Sequence, residues 1–266
     1  MPTQLYDHAY GQFTQPAEAA VREETYGEDI GQSSWMTASE WLHFADQLGV
    51  RAGSDVLEIG SGSGGPAAYL AATRQCNVTG VDINEHGIRN GRELAHAKQL
   101  DDRLRFEAVD ASRPLPFAAA SFDVVISNDA MCHIRDRLAV LRDWRRVVRP
   151  GGRILFTDAM VVTGLLSNEE IATRSSIGFY LFVPPGENER LIADAGFVHL
   201  ATEDVTEAAG LIAAKWFAAR EHHQDALVAR EGEANFTGLQ RFLESVRIVS
   251  VERRLSRYAY LGQAPG

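Results

Sequence analysis

The chain is short of cysteine, of net positive charge and of long apolar runs, and each scarcity excludes something. Its two cysteines, Cys76 and Cys132, are too few and too far apart for a disulfide framework or a cysteine zinc site. The eight histidines show no His-Glu-x-x-His or comparable ligand spacing, and His222-His223 is a neighbouring pair in a polar segment, so no metal centre is expected. A formal net charge of -10 works against binding a phosphate backbone, which is held through clustered lysine and arginine. The basic runs Arg142, Arg145, Arg146, Arg149 and Arg247, Arg253, Arg254, Arg257 alternate with apolar residues and read as solvated faces. No apolar run approaches the roughly 20 residues that span a bilayer. Residues 1–12 lack a basic stretch followed by an apolar one, so no secretory signal is evident. These absences predict a soluble cytoplasmic protein whose partner is a small molecule, with no nucleic acid and no membrane; self-association is left open.

What is present is an alternation. After about 50 polar, helical residues with an amphipathic stretch at Glu40 to Leu48, short apolar runs begin to follow one another. Strands are expected at Asp55 to Ile59, Asn77 to Val81, Leu104 to Val109, Phe122 to Ser127 and Arg153 to Thr157. Helices are expected at Pro66 to Thr73, Asn84 to Gln99 and Arg137 to Val148, the last closed by Arg149-Pro150-Gly151-Gly152. Strand and helix alternating at this spacing imply right-handed crossovers and a parallel sheet. Past Asp158 the pattern breaks, residues 159–190 are irregular, and a strand at Val198 to Val205 precedes a helical insertion over about 207–250. The tail from Arg254 to Gln263 reads as a last strand. The organisation expected is a helical N-terminal lid (1–50), an α/β core (51–160), and a covering lobe with the final strands (161–266).

The segment Glu58-Ile59-Gly60-Ser61-Gly62-Ser63-Gly64-Gly65 follows a strand and opens a helix. Glycines there let the backbone turn sharply and approach a ligand, and the helix start offers free N–H donors. Gly60, Gly62 and Gly65 also satisfy the dinucleotide fingerprint, so a nicotinamide-dependent oxidoreductase is the competing reading. Three carboxylates favour a cationic ligand over a pyrophosphate. Glu58 stands two residues before the first glycine, Asp82 at the end of the second strand and Asp110 after the third, and no Tyr-x-x-x-Lys pair occurs in the chain.

Across residues 40–160, Glu58 to Gly64, Val81-Asp82-Ile83, Asp110-Ala111, Phe122-Asp123-Val124-Val125 and Arg149 to Gly152 resemble the successive motifs of class I S-adenosylmethionine-dependent methyltransferases. The resemblance implies a Rossmann-like α/β fold, a seven-stranded mostly parallel sheet with a reversed last strand, and S-adenosyl-L-methionine as cofactor. It implies cofactor contacts at Glu58, Gly60, Ser61, Gly62, Asp82, Ile83, Asp110, Ala111 and Asn128.

Ser127-Asn-Asp-Ala-Met-Cys-His133, Thr157-Asp-Ala-Met160 and Tyr26-Gly-Glu-Asp-Ile-Gly31 further resemble the sarcosine/dimethylglycine and phosphoethanolamine methyltransferases. An amine acceptor is therefore expected, with an O- or C-methyltransferase of a secondary metabolite as the alternative. His133 is suited to take the acceptor's proton, Asp129 to orient the acceptor or His133, and Tyr26 to join them through the lid. The chain departs from the phosphoethanolamine pattern at Phe13 and Met160, where that group has tyrosines. Tyr180 matches a phosphate-contacting tyrosine but shows no basic partner in the sequence, so a phosphorylated acceptor is not expected. Tyr180, Met160 and Trp216 are the substrate-side candidates. Phe179, Tyr180, Phe182, Trp216 and Phe217 are read as an aromatic cage or as core, and Cys132 as packing.

Overall fold

Valine, leucine and isoleucine fill the runs between residues 55 and 156, and β-branched side chains suit a pleated backbone. In the computed structural model, which describes residues 10–266, these runs form β1 (Asp55–Ile59), β2 (Asn77–Asp82), β3 (Leu104–Ala108), β4 (Phe122–Ser127) and β5 (Val148–Val162). With β6 (Val198–Asp204) and β7 (Leu255–Gln263) they make one sheet in the order β3-β2-β1-β4-β5-β7-β6. The first five strands are parallel, and β7 runs antiparallel to both its neighbours. The expected Rossmann-like sheet with a reversed last strand is present. Part of the expected N-terminal lid, residues 1–9, lies outside the described residues.

Helix α1 (Pro16–Tyr26) precedes α2 (Ala38–Leu48), whose N-cap Thr37 accepts a hydrogen bond from the Glu40 amide. Next come α3 (Gly65–Arg74) and α4 (Glu85–Ala97), the latter capped by Asn84 through the amides of His86 and Gly87. Asp136 caps α5 (Arg137–Val147) in the same way. Period-two alternation in the strands sends Leu57, Ile59, Val125, Ile154 and Phe156 to one face of the sheet, against α5 and α7 (Glu187–Asp194). Val56, Val124, Ile126 and Leu155 face the other way, against α2, α3 and α4. With both faces covered, the strands carry near-continuous apolar sequence. Strand order turns back at β1, between β2 and β4, and ligands of such sheets bind at the carboxyl ends of the strands beside that switch.

The fifth strand departs from expectation. Arg149-Pro150-Gly151-Gly152 does not separate helix from strand, because β5 starts at Val148, pairs with Phe122 and passes through the glycines with a register shift. Its far end extends to Val162 because β7 pairs with it up to Leu255. The irregular segment beyond holds α6 (Asn168–Arg174), opened by a capping box between Ser167 and Glu170. The insertion between β6 and β7 is α8 (Thr206–His222), α9 (Gln224–Glu231) and α10 (Glu233–Val251), and α8 packs on α10 around Trp35, Ile212, Phe242 and Leu243. Among the described residues, no helix is long and apolar enough to cross a membrane.

Asp158, wholly buried on β5, accepts from Arg137 Nη1 at 2.6 Å and from Asn188 Nδ2 at 2.9 Å. Arg137 also donates to Asn188 Oδ1 (2.8 Å) and to the Leu181 carbonyl (3.1 Å), so one guanidinium fastens β5, α5 and α7 together. Removing one partner leaves a buried charge without its counter-ion. Arg137→Ala is expected to lower the unfolding free energy by about 3–5 kcal/mol in a urea titration, far more than a surface arginine substitution.

Candidate active site

The glycine turn is shaped by close approach. Gly60 and Gly62 hold φ of +76° and +53°, and a Cβ on Gly60 would stand 2.6 Å from the Ala130 Cβ beyond β4. The turn is fixed from the side by Asp82, which accepts from the Gly62 amide at 2.9 Å and from the Asn84 amide at 2.8 Å. Burial raises the Asp82 carboxyl, and those amides oppose the rise. Glu58 lies at the floor with 3% exposure, and its Oε2 has no hydrogen-bond partner among the described residues. Burial, then the nearby Asp82 charge, push its carboxyl up to about 8. Asp110 is the opposite case. The Ser112 hydroxyl donates to it at 2.6 Å and holds it below the usual range.

These groups border a cleft of about 580 Å³ at the carboxyl ends of β1, β2 and β4. Glu58, Gly60, Ser61, Gly62, Asp82, Ile83, Asp110, Ala111 and Asn128 all line it, so the sequence-derived cofactor residues are brought together in one place. An orphaned buried carboxyl group at the floor, bare glycine backbone and two further acids fit a ligand carrying a cation and a ribose. They do not suit a dianionic pyrophosphate.

A second cavity of about 140 Å³ lies alongside, walled by Tyr26, Trp35, Ile177, Tyr180, Trp216 and Phe242. The two cavities share Tyr10, Ser33, Ser34, Asp129 and His133. His133 closes a 3₁₀ turn, Met131–His133, and its Nδ1 lies 2.8 Å from the Phe179 carbonyl oxygen. Its ring is 4.6 Å from that of Tyr180, and burial lowers its pKa.

Several expectations change at this wall. The Tyr26 hydroxyl donates to the Ser34 carbonyl at 2.8 Å, and burial raises its pKa, so it stands as a neutral wall residue. Asp129, at φ +54°, is engaged by Arg257 Nε (2.8 Å), Thr157 Oγ1 (2.8 Å) and the Trp35 amide (3.0 Å). Its carboxylate therefore braces the partition between the cavities. Met160 does not line either cavity; it is wholly buried, with Sδ 3.3 Å from Arg174 Nη2. Tyr180 and Trp216 do line the second cavity, Phe179 lines the first, and Phe182 and Phe217 pack among apolar neighbours. Cys132 is buried, which pushes its thiol well above the usual range.

Two arginines belong to the site without a sequence signal that assigns them to it. Arg257 is not on a solvated face but is 1% exposed, bonded to Asp129, Glu40 and Asn128. Only the alternation of Leu255, Arg257 and Ala259 on a strand flanked by two others signals its burial. The basic side chain near Tyr180 is Arg174, 5.8 Å from that ring and 4.8 Å from the Phe242 ring, on the wall of the second cavity.

A methyltransferase-domain family model matches residues 57–156. The 27-O-demethylrifamycin SV methyltransferase of Amycolatopsis mediterranei is 32% identical over 72% of this chain and 74% of its own length. The glycine/sarcosine/dimethylglycine N-methyltransferase of Actinopolyspora halophila is 31% identical over 69% of this chain, which spans only 32% of that protein. Among solved structures, phosphoethanolamine N-methyltransferase 2 of Haemonchus contortus, with phosphomonomethylethanolamine and S-adenosylhomocysteine, superposes at a TM-score of 0.81. It is 23% identical and is covered to 60%, against 98% of this chain. The chain belongs to the S-adenosylmethionine-dependent methyltransferases and is an enzyme of that class.

The raised Glu58 carboxyl has a measurable consequence. Below about pH 8 it is mostly protonated, whereas pairing with a cation requires the carboxylate, so a cofactor whose cationic end sits against Glu58 would displace a proton on binding. Calorimetry with S-adenosylmethionine is expected to show affinity falling toward tenfold per unit as pH drops from about 7.5 to 6. Glu58→Gln should bind at least ~10-fold more weakly at pH 7.5 and lose that slope. An unchanged slope in the variant would assign the proton to another group.

Proposed function

We propose that this enzyme methylates a hydroxyl oxygen of a small, largely apolar acceptor, with His133 taking the proton. The observation that carries the reading is the place of His133 on the wall shared by the two cavities, with its tautomer fixed. The Phe179 carbonyl can only accept, so Nδ1 donates to it and Nε2 carries the basic lone pair. The lowered pKa keeps that ring neutral at pH 7. S-adenosylmethionine supplies a methyl already activated on a sulfonium. The protein's tasks are alignment, exclusion of water and removal of one proton. Glu58 and the turn Gly60-Ser61-Gly62 would hold the cofactor's amino-acid end, Asp82 and Ile83 its ribose side, Asp110 and Ala111 its base, with Asn128 beside the partition.

An oxygen acceptor is supported by Arg174 on the acceptor wall, a buried side chain that only donates hydrogen bonds and so suits an oxygen lone pair. It is supported also by the relative that acts on the 27-oxygen of a rifamycin and shares most of its length with this chain. The second reading is an amine nitrogen, favoured by the rings of Tyr26, Trp35, Tyr180 and Trp216, which suit a cation. Transfer of labelled methyl groups to a panel of phenols, alcohols and amines decides between them, and turnover of amines alone selects the second. With the acceptor found, His133→Asn is expected to lose roughly 10²–10⁴ in kcat. The wild-type rate should rise with pH through a value below the ordinary imidazole range and then level off. A wild-type rate in the variant would remove His133 from the chemistry.

A further inference from the structure

Away from the methyl-transfer site, three donor side chains converge at the surface. They are Glu24 on α1, His222 at the end of α8, and His223 directly after it. His222 Nδ1 lies 3.1 Å from both Glu24 carboxylate oxygens, and His223 Nε2 lies 2.8 Å from Oε1. Among the described residues these form the only group of three or more His, Cys, Asp or Glu whose ligand atoms lie within 4.8 Å of one another.

The convergence has a backbone cause. Successive residues of a continuous helix point about 100° apart, so neighbouring histidines on one helix cannot face a single carboxylate. Here α8 stops at His222, and His223 takes φ -103° and ψ 19° before α9 begins. That break brings the two rings to centroids 4.7 Å apart, both turned to Glu24. As hydrogen bonds to an exposed carboxylate, these contacts contribute little. As ligands, two neutral imidazoles and a carboxylate are the donor set of a zinc-class ion, with one position left for water. Bonds of about 2.0–2.1 Å in a tetrahedron place donors roughly 3.3–3.4 Å apart, a small outward movement from the histidine–carboxylate separations present. His222 and Glu24 are exposed enough to receive a hydrated ion, and His223 is the more sheltered.

We propose that Glu24, His222 and His223 bind a zinc-class divalent ion that staples α1 to α8. The ion would join two walls of the acceptor cavity, since α1 supplies Val21, Thr25 and Tyr26 and α8 supplies Trp216. The histidine spacing did not suggest a metal because the third ligand lies about 200 residues upstream of the pair.

The experiment uses the full chain, free of any affinity tag and stripped with chelator, titrated with Co²⁺ by visible absorption and with Zn²⁺ by calorimetry. One ion per chain is expected, with the absorption of a four-coordinate site. At a hundredfold excess over Kd, Zn²⁺ should raise Tm by roughly 5–10 °C. His222→Asn, His223→Asn and Glu24→Gln should each weaken binding at least tenfold and lose most of the Tm rise. Their metal-free Tm, close to that of the unaltered chain, shows that folding is intact. No binding up to about 1 mM Zn²⁺, or an unchanged Kd in His223→Asn, overturns the proposal.

Discussion

Arg257 reaches from β7, the strand that runs against the others, into the carboxylates of Asp129 and Glu40 and the amide oxygen of Asn128. Both cavities depend on these bonds. Asn128 faces the larger one, Asp129 forms part of the partition, and Glu40 anchors the start of α2 directly after Trp35. Asp129 in turn holds the Trp35 amide, so the guanidinium sets the distance between the end of β4 and the segment that crosses over it. Two carboxylates around one buried cation leave an excess negative charge, and burial raises the Glu40 carboxyl despite the pairing. A well-packed apolar cluster would hold the same elements as firmly. It would not fix two polar side chains and one backbone amide in a single register, which is what a shared wall between two ligands requires.

The fold was legible where one local rule decided the outcome. The apolar runs became strands at the expected places, and Trp41, Phe44, Ala45 and Leu48 turned to the core as their spacing predicted. Proline and glycine at 150–152 were misleading for a physical reason. β5 and its partners tolerate a bend there, and Gly151 at φ +75° absorbs it, so pairing outweighed the local stop signal. Ser167-Asn-Glu-Glu170 carried a capping box that the surrounding irregularity concealed.

The site was legible on one side only. The residues read as cofactor contacts sit on strand ends and turns next to one another in the sheet, so motif order along the chain maps onto position. The wall of the second cavity is assembled from α1, the Trp35 segment, α6, α8 and α10, whose meeting is decided by packing over long sequence separations. Met160 followed the right strand but faces inward, one residue away from Ala159, which does line the cavity. Arg257 looked like its basic neighbours Arg253 and Arg254, which are indeed paired at the surface with Asp204 and Glu170. Only the flanking of β7 by two other strands separates them.

The second cavity, at about 140 Å³, is close to the size of engineered cavities that enclose a single benzene ring. A larger molecule therefore cannot be swallowed whole while α1 and the Trp35 segment keep their places. With an acceptor seated there as proposed, discrimination would fall on the immediate surroundings of the reacting atom, a patch the width of one ring. On that reading the enzyme would sort its substrates by a fragment, and molecules unlike in overall shape would become equivalent to it when that fragment matches.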